Sequence, residues 1–521
     1  MGKTLKGEKA GASRALSGLA VLATALALPA QAEDGIKVDG YLREGVSVNL
    51  QDPIETAAKD SGKISMARTT LRLNLEANTG PVTFAVKGRF SREVNTDYLK
   101  NLEAIRFPAP TVGGAAAHDG GDLAKVYNEA ELREWYVDFP LGERVKVRLG
   151  KQQVAWGETD FFAGNDLVHG FDYTWRSFLE PANEELRKPL VMANVNVAVP
   201  ELDGALQVLV RPGVDRAKDI GNTYDLFGGR WANQPNKGLD FFANGFGYNL
   251  HNPQGEVKKT TGGLRWSALA GSVNYSVSYL KTYNPDPVVN PAFAPWKGTA
   301  VKAGLGDLVF PTIDVYGLTA SGYLAPADAV VNVELAYLKD YAFNYGYTNG
   351  YGFLSGSATG TAGFSGIRQK NVVRTTLRMD KNLAGFGSLI GAEKPAFFSV
   401  QLFDTWIQNY QASEEIVNLV GFGQARKAHS TLLTAILSTS FSNGKLKPEL
   451  VGGTDLSYGG GFVVPSLSYE IGNHWRLKTE LDLFWHRGAR TPANGATERD
   501  GALFGYFAHN NQLYTSLTYQ F

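Results

Sequence analysis

The fold is decided by residues 145–189, which read VKVRLGKQQVAWGETDFFAGNDLVHGFDYTWRSFLEPANEELRKP. This segment begins at Val145 as a strand in which apolar and polar side chains alternate, and the alternation stops at Gly157. About thirty residues follow without a regular period, and aromatic and charged side chains are mixed along them. A segment of this kind is either disordered or a folded loop with a function, and its aromatic content argues against disorder. We therefore predict that a strand of a membrane barrel, 145–157, continues into a loop, 158–189, that enters the pore.

The N-terminus resembles an export signal. Four basic residues between Lys3 and Arg14 precede the apolar run LSGLAVLATALALPA, which ends in Ala30-Gln31-Ala32. This pattern predicts a secretory signal peptide over 1–32, a retained membrane anchor being the alternative. The remainder, 33–521, is then the folded part.

The composition is typical of a β-barrel of the outer membrane. Net charge is zero, so neither nucleic acid nor an anionic membrane surface is indicated as a partner. Cys is absent, which excludes a disulfide framework. No segment after Ala32 has the eighteen or so consecutive apolar residues of a spanning helix, so the chain would have to cross a membrane as a closed barrel.

Period-two alternation predicts about eighteen strands, sixteen being the alternative. It starts at Ile36, which leaves no room for a plug domain ahead of the wall, and it includes a hairpin that turns at 78–81. Further strands are predicted near 128–139, 145–157, 190–200, 203–211, 260–269, 271–283, 312–324, 328–341, 369–380, 396–407, 430–441, 446–456, 461–471, 474–486 and 511–521.

The connections between these strands alternate between long and short, which is typical of bacterial outer-membrane barrels. The one exception is at 457–460, where a short connection stands in the place of a long one. In the strand 474–486, Trp475 and Trp485 fall on one face, ten residues apart. That spacing corresponds to about 25 Å along the membrane normal, the height of the apolar band, with an aromatic residue at each interface.

The inward faces of the predicted strands carry both signs of charge. Either these charges are solvated or paired, or they form a transverse field that orients a solute. The inward charges are Arg72, Lys87, Arg89, Lys146, Arg148, Arg374, Arg378, Arg476 and Lys478, with Glu76, Glu134, Asp138, Asp314, Glu334, Asp380, Glu449, Glu480 and Asp482.

The loop 158–189 supplies the candidate constriction. Its aromatic rings offer flat apolar contacts, and we expect Arg176, Arg187 and Lys188 to pair with carboxylates of the wall. The alternative is an outer loop that folds on itself at the rim. The candidate constriction residues are Phe161, Phe162, Asp166, Asp172, Trp175, Arg176, Glu180 and Arg187.

A second aromatic loop, 211–259, suits a lid over an apolar or aromatic solute, although a surface site for a phage or a partner would have the same composition. Catalysis is disfavoured, because the seven histidines are scattered and neither a metal motif nor a nucleophile elbow is present. We expect no enzymatic activity, no metal and no cofactor.

The segment GKQQVAWGE at 150–158 resembles a large family of Gram-negative outer-membrane proteins known mainly as a domain of unknown function. That family follows a G-[RK]-Q-x-V-x-W-G-E strand end with an Asn/Asp-rich loop, to which PANEELRKP is loosely similar without the family's Arg-Pro-Gly element. A second similarity covers VVRTTLRMDKNL at 372–383 and AFFSVQLF at 396–403. The resemblance implies a β-barrel that handles hydrophobic compounds with an inner-membrane exporter of the resistance-nodulation class, and it implies no catalytic residues.

These observations together predict a porin-like transmembrane antiparallel β-barrel of the Gram-negative outer membrane, with an ingoing loop. Its expected function is passive passage of a small organic solute, aromatic or hydrophobic in character. The alternative is a non-conducting barrel that binds or assembles at the cell surface. Expected partners are outer-membrane lipid and lipopolysaccharide, the solute, and the barrel assembly machinery. The terminal Phe521 is similar to the C-terminal signal that outer-membrane barrels present to this machinery.

Overall fold

The protein was analysed as a computed structural model. The structure describes residues 35–53, 58–104, 124–157, 159–160, 162, 164–174, 176–180, 182–224, 230–231, 247–248, 256–290, 307–345, 366–418, 424–486 and 503–521.

Eighteen long strands within these residues form one closed antiparallel barrel. Each strand pairs with its neighbours in the sequence, and β1 closes the ring by pairing with both β2 and the last strand, so that Tyr41 lies opposite Arg72 and Gln520. The wall strands are β1 (Ile36–Asn49), β2 (Ile64–Thr79), β3 (Val82–Glu93), β4 (Glu129–Leu141), β5 (Val145–Gln152), β6 (Leu190–Val199), β7 (Gly204–Arg211), β8 (Thr261–Ala270), β9 (Val273–Tyr283), β10 (Thr312–Leu324), β11 (Ala329–Tyr345), β12 (Gly366–Leu383), β13 (Ala396–Ile407), β14 (His429–Ser438), β15 (Leu446–Asp455), β16 (Gly461–Ile471), β17 (Trp475–Trp485) and β18 (Gln512–Gln520).

The predicted count of eighteen strands is confirmed, and the alternative of sixteen is wrong. The prediction for β5 was too long, because this strand ends at Gln152 rather than at residue 157. Residues 153–157 already turn away from the wall, since Val154 and Trp156 are buried inside the barrel.

The two faces of the wall differ as the alternation predicts. In β17 the side chains of Trp475 and Trp485 are each 43% exposed on the outside, whereas Glu480 and Asp482 on the inside are 3% and 0% exposed. An exposed apolar outer face with a polar inner face is the arrangement that lipid around a barrel requires, because only the lumen offers partners to charged groups. The wall is therefore that of a membrane barrel.

Long and short connections alternate around the ring. The end that carries the hairpin turns of β2–β3 and β4–β5 is the short-turn end, which faces the periplasm in barrels of this type. The connection between β15 and β16 at 456–460 is short although it lies at the opposite end, as the sequence indicated.

Helices and small strands occupy the connections. The helices are α1 (Asp97–Glu103), α2 (Ala124–Tyr127), α3 (Asn183–Leu186), α4 (Ala384–Leu389) and α5 (Leu503–Tyr506), with 3-10 turns at Ser177–Leu179, Pro200–Leu202, Ala217–Asp219, Ala325–Ala327 and Ala412–Glu414. Short strands at Gly247–Tyr248, Val288–Asn290 and Asp307–Val309 form a separate sheet, and Ile416–Asn418 joins Gln424–Ala425 to the end of β11. A search of the described helices finds none with the length and hydropathy needed to cross a membrane.

A charge on the lipid face should destabilise the barrel. Leu481 lies on the outer face of β17 between the two tryptophans and is 36% exposed. We expect Leu481→Arg to reduce the free energy of unfolding by roughly 2–4 kcal/mol, because an arginine near the midplane has no polar partner in lipid. Urea unfolding in lipid vesicles measures this change. Ser468→Arg, on the inner face of β16, is the control, and an equal loss in both variants would contradict the assignment of faces.

Candidate functional site

The segment that leaves β5, residues 153–189, is named here the ingoing loop. Its described residues contact the inner wall on several sides of the barrel, at β7, β11, β12, β13, β17, β1, β2 and β3 in turn. The loop therefore lies inside the lumen and does not fold back on itself at the rim.

The first part of the loop is held by apolar burial. Val154, Trp156, Leu167 and Val168 belong to one buried cluster that also contains the inward side chains of β6, β7 and β9 to β13. The indole of Trp156 is 1% exposed, and its Nε1 donates to Gln207 Oε1 of β7 at 2.8 Å. Burial of one such side chain contributes about 1.5–3 kcal/mol, so this cluster anchors the loop against one side of the wall.

The loop backbone then approaches the wall so closely that a glycine is needed. A Cβ atom on Gly164 would lie 2.5 Å from Thr376 Oγ1 of β12 and 2.7 Å from Glu334 Oε2 of β11. The backbone N–H of Asn165 donates to the same Glu334 carboxylate at 2.9 Å. Nearby, Asp160 pairs with Arg378 of β12 at 3.0 Å.

Arg176 holds the loop to the opposite part of the wall. Its Nη2 donates to Glu480 Oε1 at 2.5 Å and to Asp482 Oδ2 at 3.1 Å, both on β17. Its guanidinium carbon lies 3.9 Å from the ring centroid of Tyr514 on β18. All four side chains are buried, so each charge is compensated within the protein and not by water.

The last part of the loop presents carboxylates to wall arginines. Glu180 pairs with Arg43 of β1 at 3.6 Å, and Glu185 pairs with Arg72 of β2 at 2.5 Å and with Arg89 of β3 at 3.5 Å. Glu184 also pairs with Arg72. The loop thus contributes a cation to its ion pairs with β17 and carboxylates to its ion pairs with β1 to β3. These pairs hold the loop against translation along the pore axis.

We expected Arg176, Arg187 and Lys188 to pair with carboxylates of the wall, and this was wrong for Arg187 and Lys188. Arg187 pairs with Asp166 inside the loop itself, and not with a wall carboxylate. Lys188 donates to Lys218 O at 2.9 Å and to Thr223 Oγ1 at 2.8 Å, both in the next long connection. Of the three cations, Arg176 is the one that pairs with carboxylates of the wall in the predicted way.

His169 is locked in its neutral form. Val154 N–H donates to its Nε2 at 2.9 Å, and its Nδ1 donates to the carbonyl of Lys188 at 2.9 Å. Burial, together with the positive charge of Arg187, lowers the pKa of His169 to about 3. Burial also lowers the pKa of Lys188 to about 8, although Asp172 and Asp219 favour its charged form.

Two aromatic rings of the loop, Phe162 and Phe178, pack in one buried cluster. Phe178 is 1% exposed and lies among Phe462, Phe484, Phe504 and Phe507 at centroid distances of 5.0–6.2 Å. Phe162 packs against Phe178 at 5.8 Å, and Asp172 accepts from the N–H and hydroxyl of Thr174. Phe161 and Trp175, which were also predicted for the constriction, lie outside the described residues.

The predicted lumen charges are largely paired. Lys87 lies 3.2 Å from Glu134, Arg148 donates two hydrogen bonds of 2.7 Å to Asp138, and Arg378 lies 2.9 Å from Asp380. The guanidinium carbon of Arg374 lies 5.9 Å from the ring centroid of Tyr341. Their role in selecting a solute stays a prediction.

Two described residues of the second long connection lie at the long-loop end of the barrel. Arg230 pairs with Glu93 of β3 and donates to Ser65 O of β2 at 2.8 Å, although it belongs to the connection between β7 and β8. Trp231 is 1% exposed and packs against Phe507 at 5.4 Å. Arg230 and Trp231 thus lie at the long-loop end of the barrel, and the role of the segment 211–259 as a lid stays a prediction.

Free space remains on the short-turn side of the ingoing loop. A cavity of about 220 Å³ lies between Asp160 and Leu179 of the loop and the inner faces of β13 to β17. We refer to it as the sub-loop cavity. Among the described residues, no group of three or more His, Asp or Glu side chains could hold a metal ion.

The sequence pattern did not identify several groups that hold the loop. Glu480 and Asp482 were recognised as inward charges of β17 but not as partners of the loop, and Arg43, Arg133 and Glu185 were not singled out. Arg133 donates to the carbonyl of Arg187 at 2.7 Å. A spacing of two residues along a strand shows that two side chains lie on the same face of the wall. It does not show which side chain of the loop contacts them.

Loss of the Arg176 charge should release the loop. We expect Arg176→Met to destabilise the loop by roughly 3–5 kcal/mol, because Asp482 would stay buried without a cation and Glu480 would keep only Lys478. The chain has no cysteine, so a single Leu179→Cys substitution reports the release through its rate of thiol labelling. Arg216→Met, which removes a half-exposed partner of Asp219, is the control. Equal labelling in both backgrounds would show that Arg176 does not hold the loop.

Acid should weaken the loop through His169. Its pKa is about 3 in the folded protein and near 6.5 when unfolded, so the unfolded state takes up the proton first. Stability is fully present above pH 6.5 and falls below it, by at most about 1.4 kcal/mol per pH unit. Urea unfolding at pH 8 to 4.5, followed by tryptophan fluorescence, should show this slope in the wild type and a smaller one in His169→Gln. Identical slopes would exclude His169 as the titrating group.

Comparison with solved structures finds other barrels of similar length. OccAB1 of Acinetobacter baumannii is 11% identical, with 94% of this chain and 98% of that chain covered and a TM-score of 0.45. OccAB3 of the same organism is 7% identical, with 93% and 99% covered and a TM-score of 0.46. OpdK of Pseudomonas aeruginosa, crystallised with vanillate, is 8% identical, with 93% and 98% covered and a TM-score of 0.42.

No curated protein matches the sequence. The family described as "protein of unknown function (DUF1302)" matches residues 13–521, nearly the whole chain. The chain therefore belongs to this family.

Proposed function

We propose that the protein is an outer-membrane channel through which a small organic solute, partly aromatic or hydrophobic, passes without an energy source. The observation that carries the proposal is the position of the ingoing loop, which is fixed by buried contacts to opposite sides of a closed barrel. A loop held across a lumen narrows it, and narrowing is what selects solutes by size and charge in a pore.

The location follows from the wall and the N-terminus together. The outer face is apolar, and 1–32 has the pattern of a cleaved export signal. We therefore expect outer-membrane lipid and lipopolysaccharide around the wall, and insertion by the barrel assembly machinery. The association with an inner-membrane exporter of the resistance-nodulation class, which the family resemblance implies, stays a prediction.

The chemistry of the lumen supports an amphiphilic solute. The loop brings the partly buried ring of Phe162 into a lumen whose wall carries paired charges such as Arg378 with Asp380. A solute with an apolar body would contact the accessible part of this ring, and its polar group would exchange water for the charged pairs. Purely ionic solutes would not benefit from the aromatic contacts.

Electrical recording tests this function. We compare single-channel conductance of the refolded wild type in planar bilayers with a variant in which 165–185 is replaced by a short Gly/Ser linker. The wild type should show discrete openings, and the variant should show larger ones, because the segment with Arg176, Phe178 and Glu180 no longer obstructs the lumen.

Two controls make the recording decisive. Heat-modifiable gel mobility and circular dichroism must show that both barrels are folded, and Arg144→Ser, in an exposed ion pair of a short turn, should leave conductance unchanged. Openings of equal size in wild type and linker variant would contradict a constriction formed by the loop. Silence from both folded barrels would reject the channel and favour a non-conducting barrel that binds at the cell surface.

A further inference from the structure

The sub-loop cavity has the size of a site for one small organic molecule. Its volume is about 220 Å³. A protein cavity of about 150 Å³ lined by apolar side chains is already large enough to bind benzene. One aromatic ring with a short chain therefore fits in the space beneath the loop.

One side of the cavity is apolar. A contact surface of this kind removes an apolar body from water and contributes about 25 cal/mol per Å² buried. The apolar lining consists of Leu179, Phe397, Ile436, Val451, Phe462 and Val464.

Three of the charged side chains that line the cavity form ion pairs with neighbouring residues. Asp160 is paired with Arg378 at 3.0 Å and accepts from Gln401 at 3.1 Å. Glu480 is paired with Arg176 at 2.5 Å and with Lys478 at 2.6 Å. Lys478 is the cation in the lining, and its ammonium is thus already engaged by a carboxylate.

Glu449 differs from the other carboxylates. It lines the cavity, and no described residue forms an ion pair or a side-chain hydrogen bond with it. Its side chain is partly buried on the inner face of β15, where contact with water is reduced. Lys478 lines the same cavity but pairs with Glu480, so Glu449 is a partly desolvated carboxylate without a cation at ion-pair distance, which favours binding of a positively charged group.

The cavity is accessible from the short-turn end. A second cavity of about 350 Å³ shares Phe397, Ser438, Glu449 and Ser466 with it. This second cavity is also lined by Pro395 and Ser440, which lie in the short connections after β12 and β14. Glu449 thus lies where the two spaces meet, on the path from the periplasm to the loop.

We propose that the sub-loop cavity binds a small organic cation with an apolar body, whose ammonium group pairs with Glu449 and whose body packs on Phe397 and Ile436. The proposal rests on the proposed function and deepens it by naming the substrate class. Within the sub-loop cavity an anion would meet Glu449 and no unpaired cation, because Lys478, the cation of its lining, is paired with Glu480.

Binding is tested independently of current by isothermal titration calorimetry of the folded protein in detergent micelles. Three probes of similar shape are compared: 2-phenylethylammonium, 2-phenylethanol and 3-phenylpropanoate. The cation should bind at least about tenfold more tightly than the neutral alcohol, because a charge-assisted hydrogen bond contributes roughly 1.5–3 kcal/mol. The carboxylate probe should bind weakest.

Two variants locate the charge. Glu449→Gln should remove the preference for the cation, while leaving affinity for the alcohol within about twofold. The matched control is Glu76→Gln. Glu76 lies on the same face of β2 as Arg72, three residues from the strand end at Thr79. Glu449 lies three residues from the strand end at Leu446, and both strand ends are at the short-turn end of the barrel. Phe397→Ala should weaken both cation and alcohol, since it removes apolar contact and no charge.

The outcomes separate this proposal from the channel function. Equal binding of cation and alcohol by the wild type, or an unchanged preference in Glu449→Gln, would overturn the cation site even if single-channel openings are observed. Selective cation binding that Glu449→Gln abolishes would support the site even if both barrels are electrically silent. Loss of the preference in Glu76→Gln as well would assign it to the general field of the lumen and would also overturn the site.

Discussion

The structure depends on buried ion pairs between the ingoing loop and the wall. Arg176 with Glu480 and Asp482 on one side, and Glu185 with Arg72 and Arg89 on the other, hold one segment across the lumen. Buried charges are costly to separate from their partners, so such pairs specify a position more strongly than they add net stability. The loop is therefore fixed at a defined height inside the barrel.

The barrel wall makes this arrangement possible, because the alternation of its strands places charged side chains on the inner face and apolar side chains toward lipid. In β17 the same strand presents tryptophans to lipid and carboxylates to the loop. The loop in turn divides the lumen: the aromatic cluster around Phe178 fills the space toward the long loops, and the sub-loop cavity remains toward the short turns. Selection by the pore and binding of a ligand thus depend on the same wall strands.

Arg230 and Arg176 make related contacts at different heights in the barrel. Arg230 reaches Glu93 near the long-loop end of the barrel, as Arg176 reaches Glu480 deeper inside. Each arginine also lies over a tyrosine ring, at 4.8 Å from Tyr127 and 3.9 Å from Tyr514 respectively. A planar guanidinium group can pair with a carboxylate while it stacks on an aromatic ring, which the compact ammonium of lysine does less well. These positions explain why arginine and not lysine holds both segments.

The sequence by itself determined the barrel, its eighteen strands, its lipid and lumen faces and the presence of a long aromatic loop after β5, because period-two alternation and turn spacing are local properties. Only the tertiary structure decided that Arg187 pairs with Asp166 within the loop, that Lys188 serves the next connection, and that Glu449 is left facing a cavity. Strand spacing fixes which face a side chain occupies. Pairing between groups hundreds of residues apart, as between Arg176 and Glu480, depends on where the closed ring brings them, and no local pattern records that distance.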